Sequence, residues 1–296
     1  MKTLIIVIPV LLSLTSAAPA FAVTRLAKTG DLTATKFDEL GFDPAGLVGY
    51  WQLNGNAVDS SGQGNNGVNT GATAATDRFG TAGKAMYFDG GNNYININNG
   101  PNMGTSDFTI CVWAQLGDST YQWQRLFGKK AAAAANAGYS IYYGGDTRKF
   151  MWSTANGTAA NEYWTINTFP GNDWYHIVMV RNNADEKKGY FYINAVRQEI
   201  SAVPQILNTD TASLASIGAL PSGGGLRFKG SIDEVKVFNR ALTAAEILAM
   251  YNHEKGKLSV GKSGTIKALE FIEDNNLPVQ MRSKKKNLTI KGVLIE

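Results

Sequence analysis

The stretch Gly230-Ser231-Ile232-Asp233-Glu234-Val235-Lys236-Val237-Phe238-Asn239-Arg240-Ala241-Leu242-Thr243, continued by Ala244-Ala245-Glu246-Ile247, decides how the chain is read. Ile232, Val235, Val237 and Phe238 are the apolar anchors of a strand, and the strand signal stops at Asn239-Arg240. A helix follows. Thr243 and Glu246 stand at the spacing where a hydroxyl accepts a free backbone N–H and a carboxylate reaches back to the cap. Ile247, Leu248 and Tyr251 then supply an apolar stripe. A strand that hands over to a short helix closes a domain.

Upstream stand three further motifs, in order: Leu47-Val48-Gly49-Tyr50-Trp51-Gln52-Leu53; Asp59-Ser60-Ser61-Gly62 with Gly64, Asn65, Asn66 and Gly67; and Ala85-Met86-Tyr87-Phe88-Asp89-Gly90-Gly91. Together with the closing stretch they resemble laminin G-like, concanavalin A-like jelly rolls, whose closing motif runs Gly-x-Ile-Asp-Asp/Glu-Val-x-Val/Ile-Tyr/Phe-Asn-Arg-Ala-Leu-Ser/Thr-x-x-Glu-Ile. The resemblance covers residues 46 to 252. It implies an all-β, two-sheet antiparallel jelly-roll sandwich with one short closing helix. One departure is visible: Asn93 precedes Tyr94 where the family often carries Asp, which removes a charged ligand.

The pattern of the chain agrees with that fold class. Thirty-two glycines give many positions for sharp turns, and short runs with strand spacing recur between turn clusters. These runs are Tyr94–Ile97, Phe108–Gln115, Arg125–Lys129, Tyr139–Tyr143, Lys149–Trp152, Trp174–Arg181 and Gly189–Asn194. Ser213 to Gly218 is the expected partner of the last of these. Ala131 to Ala135 reads as loop or a single helical turn. Such spacing argues for a sandwich.

Residues 1 to 22 read as a signal peptide: Lys2, an apolar run from Leu4 to Leu12, and a small-x-small site at Ala20-Phe21-Ala22 that puts the mature start at Val23. This predicts export, to the cell surface, the periplasm or the outside. The run is too short for a membrane span, which takes about 20 apolar residues, and no later segment approaches that length. Residues 23 to 45 are a polar lead-in, with a short helix as one reading of Thr35 to Leu40. Residues 256 to 296 read as a C-terminal β extension, with strand spacing at Thr265–Ile272 and Leu288–Ile295. With Val279-Gln280-Met281-Arg282 between them, these make three short strands, which bury little alone. The extension therefore packs on the sandwich or pairs with another chain, a route to self-association. Lys284, Lys285 and Lys286 fall at a hairpin turn.

Composition narrows the function. A net charge of +4 with no recognition helix or RNA motif does not point to nucleic acid. The single cysteine, Cys111, sits within a strand and reads as a buried small hydrophobe. Retaining glycosidases hold two carboxylates about 5 Å apart, and the Glu-x-Asp-x-x-Glu strand that does this is not found here. Neither His176 nor His253 has the motif partners of a hydrolase triad. The chain therefore reads as non-catalytic.

Two chemistries remain. Turn loops that offer carboxylates, amides and carbonyls together suit a hard cation. The laminin G resemblance implies a structural Ca2+ with Asp59 and Asp233 as ligands and Asn65 and Asp89 as additions; the alternative is that these residues serve turns and backbone N–H groups. Sugar rings stack on aromatic faces while amides fix hydroxyls. Tyr121, Trp123, Tyr143, Trp152, Tyr163 and Trp164 lie outside the shared motifs or beside loops and are the candidate ligand-binding residues. Trp51, Trp113 and Trp174 lie in shared strands and read as core. The expected role is a glycan-binding or adhesion module facing a glycan or cell-surface polysaccharide. The rival of a different class is a structural subunit that polymerises through its terminal β segment.

Overall fold

The computed structural model describes residues 42–117, 123–131, 136–202 and 205–255. Phe42–Tyr251 make one compact unit. Met1–Gly41 and Asn252–Glu296 fall into a second, of which only Asn252–Lys255, the end of a helix, are described. The expected signal peptide and C-terminal extension lie outside the described residues, as do residues 23–41 of the lead-in, residues 132–135 of the small-residue run, and Tyr121.

The strands run in chain order as β1 (Leu47–Trp51), β2 (Gly67–Thr70), β3 (Thr73–Ala75), β4 (Ala85–Asp89), β5 (Tyr94–Ile97), β6 (Phe108–Leu116), β7 (Gln124–Lys130) and β8 (Gly138–Gly144). Then come β9 (Lys149–Ala155), β10 (Ala160–Trp164), β11 (Trp174–Arg181), β12 (Gly189–Ile193), β13 (Val196–Gln198), β14 (Ala215–Ile217) and β15 (Lys229–Phe238), and helix α1 (Ala244–Lys255) follows. They form an eight-stranded sheet, β13-β12-β11-β6-β15-β4-β3 with β1 also on β15, and a seven-stranded sheet, β10-β9-β8-β7-β14-β5-β2. The named strand pairings are antiparallel. The two sheets make the expected jelly-roll sandwich.

β15 organises the first sheet. One edge pairs with β6 along most of its length, while the other pairs with β4 over Lys229–Ile232 and with β1 over Val235–Phe238. At the changeover the register slips between Asp233 and Lys236, and Glu234 takes a left-handed φ of 52°. This is a bulge. It explains why the inward residues Ile232 and Val235 are three apart, not two: Asp233 and Glu234 are both kept out of the inter-sheet core.

That core draws on both sheets: Trp51, Phe88, Phe108, Ile110, Val112, Ile177 and Val237 meet Phe127, Tyr139, Ile141, Phe150 and Trp152. Each large side chain of this kind contributes about 1.5–3 kcal/mol by leaving water. A second, smaller buried layer lies on the other face of the eight-stranded sheet. Trp113 and Tyr251 stack there with ring centroids 5.8 Å apart, and His176 lies 5.0 Å from Trp113. Arg181 ties the loops at one end: it is buried, and its guanidinium donates to the carbonyls of Met103, Gly104, Ser106 and Leu207.

Three expectations need correction. Ser213 to Gly218 does not partner β12; β14 lies in the other sheet between β7 and β5, and β12 pairs with β11 and β13. Leu248 is half exposed, and the buried stripe of α1 runs through Ile247 and Met250. Trp174 is only half-buried, at the start of β11. The cap is as expected: the Glu246 N–H donates to Thr243 Oγ1 at 3.2 Å, and the Thr243 N–H donates to Glu246 Oε2 at 2.8 Å.

Candidate functional site

Strand alternation decides which side chains of the seven-stranded sheet look away from the core. Tyr139, Ile141 and Tyr143 of β8 and Phe150 and Trp152 of β9 point inward, so Ser140, Tyr142, Met151 and Ser153 point outward. Register carries this across the sheet. Glu162, Ser153, Ser140, Gly128, Ser216 and Asn96 form one cross-strand row, and Trp164, Met151, Tyr142 and Arg125 form the next. The first row is kept low by small residues. A Cβ on Gly128 would stand 2.0 Å from Ser140 Oγ, so the row accepts only glycine there.

Over that gap lies the Arg125 side chain, following its own strand. It donates to the Lys130 carbonyl at 2.9 Å, to the Tyr142 hydroxyl at 3.0 Å and to Ser216 Oγ at 3.2 Å. Burial alone raises the Tyr142 phenol, but the positive charges of Arg125 and Lys130 outweigh it and hold the phenol below its ordinary value. Arg125, Ser140, Tyr142, Met151, Ser153 and Ser216 are all buried, so this outward layer is a covered polar layer with a fixed positive field.

At the corner of that layer stand two tryptophans. Trp164 ends the edge strand β10, and Trp123 immediately precedes β7, with β8 and β9 between them. Three strand spacings, about 14 Å, separate their backbones, and the side chains close the gap. The ring centroids are 4.2 Å apart with planes inclined at 44°. Both rings are half-buried. The Trp164 backbone is pinned by the segment after β13: its N–H donates to Ser201 Oγ at 3.2 Å, and its carbonyl accepts from the Ser201 N–H at 3.0 Å. A fixed, half-open aromatic pair can take the apolar face of a ring ligand, with the exposed Ser201 beside it to bond the polar edge.

The structure separates the aromatic candidates by strand phase. Tyr143, Trp152 and Tyr163 are buried on the inward phase and belong to the inter-sheet core, which corrects their reading as ligand contacts. The Tyr143 hydroxyl donates to the Phe169 carbonyl at 2.8 Å, and that of Tyr163 accepts the Gln205 N–H at 2.7 Å. Trp123 and Trp164 are brought together. Arg125, Tyr142 and Ser216 were missed, because a lone strand does not disclose which of its two phases meets the other sheet.

The four cation candidates are not brought into one ligand set. Asp59 Oδ1 accepts from the Tyr50 and Ser61 N–H groups and Oδ2 from the Asn65 N–H, at 2.8–2.9 Å, so its carboxylate pins the first loop. The Asn65 amide donates to the Val48 carbonyl, and Asp89 is exposed and accepts from the Gly91 N–H. Asp233 pairs with the Arg78 guanidinium at 2.5 Å. Among the described residues no group of three or more His, Cys, Asp or Glu could hold a metal ion. The cationic group that meets Asp233 is the Arg78 guanidinium.

Around that pair lies a closed electrostatic network. Glu234 accepts from the Tyr50 hydroxyl at 2.5 Å and from Lys236 Nζ at 2.8 Å. Burial raises Glu234, but Lys236 and these hydrogen bonds bring it down to about 2. Asp233 goes the other way, pushed up to about 8 by burial first and by the adjacent Glu234 charge, against Arg78 and Lys236. His176 is held well below its ordinary value, chiefly by burial and then by Lys236 and Arg78. Both carboxyl groups are buried beside the bulge, Asp233 against Arg78 and Glu234 against Tyr50 and Lys236.

A laminin G family model, described as Concanavalin A-like lectin/glucanases superfamily, matches residues 89–248, more than half of the chain. The chain belongs to this laminin G family. No curated protein matches the sequence. Among solved structures, the laminin G domain is similar to the binding domain of Paraclostridial Mosquitocidal Protein 1, with a TM-score of 0.57 and 18% identity over 71% of this chain and 52% of that one. It also resembles domain 4 of AbnA, a GH43 extracellular arabinanase from Geobacillus stearothermophilus solved with arabinotriose, with a TM-score of 0.55 and 20% identity over 71% of this chain and 100% of that one. A third is the Trypanosoma rangeli sialidase in complex with sialic acid, with a TM-score of 0.51 and 15% identity over 71% of this chain and 33% of that one. The laminin G domain thus spans about half the toxin binding domain and a third of the sialidase. At these identities the likeness is one of fold.

Proposed function

We propose that this laminin G domain is an exported, non-catalytic glycan-binding module that stacks a sugar ring on Trp123 and Trp164. The observation that carries the reading is the half-open pair of indoles, 4.2 Å apart, at the corner of the seven-stranded sheet. Each stacked ring face is worth roughly 0.5–1.5 kcal/mol beyond its area, so a single platform binds weakly and surface attachment relies on many copies of the ligand. Several similar folds are binding domains, and one was solved with arabinotriose. The lack of catalysis is supported by the burial of Asp233 and Glu234 against Arg78 and Lys236. Among the described residues no helix is long and apolar enough to cross a membrane. A glycan array is the test: the native chain binds a discrete set of oligosaccharides, the Trp164→Ala chain loses that set, and reducing ends are not released. An empty array with a folded chain refutes it.

A further inference from the structure

The segment that pins Trp164 also walls a cleft on its other side. Ser201 bonds the Trp164 backbone in both directions, and its neighbours Ile200 and Ala202 line a cavity of about 170 Å³ together with Lys187, Tyr190, Arg197 and Glu199. This cleft lies at the β12–β13 hairpin, on the edge of the eight-stranded sheet opposite β3. It is smaller than the pockets of about 300 Å³ and upward that take drug-sized ligands, so it fits one ring, not an oligomer.

Its lining is set in advance. The Arg197 guanidinium lies 3.8 Å from the centroid of the Tyr190 ring, and the nearby Asp185 carboxylate accepts the Lys187 N–H at 2.7 Å. Stacking restricts a side chain that would otherwise lose rotamer freedom on binding. The polar groups are of both signs. Lys187 and Arg197 can only donate, and Glu199, when ionised, can only accept. A hydroxyl does both, so vicinal hydroxyls satisfy this mixture, while a lone anion would meet Glu199 and the nearby Asp185 as well as the cations.

We propose that the cleft is a second subsite for a neutral sugar ring, adjoining the Trp123–Trp164 platform across Ser201, so that one oligosaccharide engages both. The choice of ligand class rests on the glycan-binding reading. The platform supplies stacking, and the cleft supplies the hydrogen bonds that distinguish one sugar from another.

The test is titration of the 15N-labelled full chain with arabinotriose, xylotriose, cellotriose and trigalacturonate, following the indole N–H signals of Trp123 and Trp164 and the backbone amides of Gly189, Arg197 and Ile200. A neutral trisaccharide is expected to shift both groups. Arg197→Ala, an exposed position whose loss leaves the fold intact, is expected to weaken that trisaccharide about tenfold, near 1.4 kcal/mol, while leaving the matching monosaccharide on the indoles unchanged. Shifts confined to the indoles, with Arg197→Ala silent, overturn the second subsite and leave the platform standing. Shifts confined to the hairpin leave the cleft as a sugar site and overturn the platform and the shared ligand. A hairpin that responds to trigalacturonate alone overturns the neutral-ring assignment, and silence at both places overturns both readings.

Discussion

The Asp233 carboxyl group meets the Arg78 guanidinium at 2.5 Å, on the outer face of the strand that organises the eight-stranded sheet. The laminin G resemblance implies a metal ion near this aspartate, and the chain's own guanidinium lies against it. A ligand that binds only the folded state raises the melting temperature, by an amount that grows with the logarithm of its concentration above Kd. Millimolar calcium and an equal dose of chelator are therefore expected to give melting curves within about 1 °C of each other. A rise of several degrees with calcium would restore the metal and place it on other residues.

Asp233 also makes stability depend on pH. Its folded value of about 8 lies above the ordinary 3.8, so its contribution is complete below pH 4 and is lost as pH climbs through 8. Glu234, held at about 2 in the folded state against 4.5, acts oppositely and only below about pH 4.5. Asp233→Asn cannot ionise. Its melting temperature should fall less than the native chain's between pH 5 and 9, and parallel curves for the two proteins would show that Asp233 does not titrate in this window.

Gly128 and Ser140 face one another across β7 and β8, with no room for a Cβ. Gly128→Ala is expected to destabilise the chain by about 1–3 kcal/mol, the usual range for overpacking, read by denaturant unfolding. Ser140→Gly removes the clashing hydroxymethyl, and in the double variant part of the loss should return. Equal and additive losses would mean that the two positions do not meet.

Strand phase separates the aromatic residues into two experimental classes. Trp152 is fully buried between the sheets, so Trp152→Ala should cost about 3–5 kcal/mol of stability. Trp123→Ala removes a half-buried ring and should cost about 1 kcal/mol, the scale of an aromatic pair. Reversal of that order in urea unfolding would contradict the assignment of faces.

Much of the fold was legible because its punctuation is local. The Thr243–Glu246 cap, the β1 opening and the β15 closing stretch each carry their own signal, and Trp51 and Val235 are indeed register partners between the first and last strands. The site was less legible. Tyr143, Trp152, Tyr163 and Trp164 look alike in sequence, and only pairing with β8, β9 and β10 sends three of them inward and one out. The short strands β2, β3 and β14 carry too few alternations to announce themselves, and β14 was assigned to the wrong sheet for that reason. The Glu234 bulge hides in the Ile232-Asp233-Glu234-Val235 spacing, where a broken alternation is the only trace.

The central claim is that glycan binding belongs to the outward indoles and not to the fold at large. It is tested most directly by calorimetric titration of the best oligosaccharide from the array into the native chain, Trp123→Ala and Trp164→Ala, each checked for an unchanged circular dichroism spectrum. Each substitution is expected to weaken binding by tenfold or more, the effect of about 1.4 kcal/mol. Native affinity in both folded variants would contradict the account.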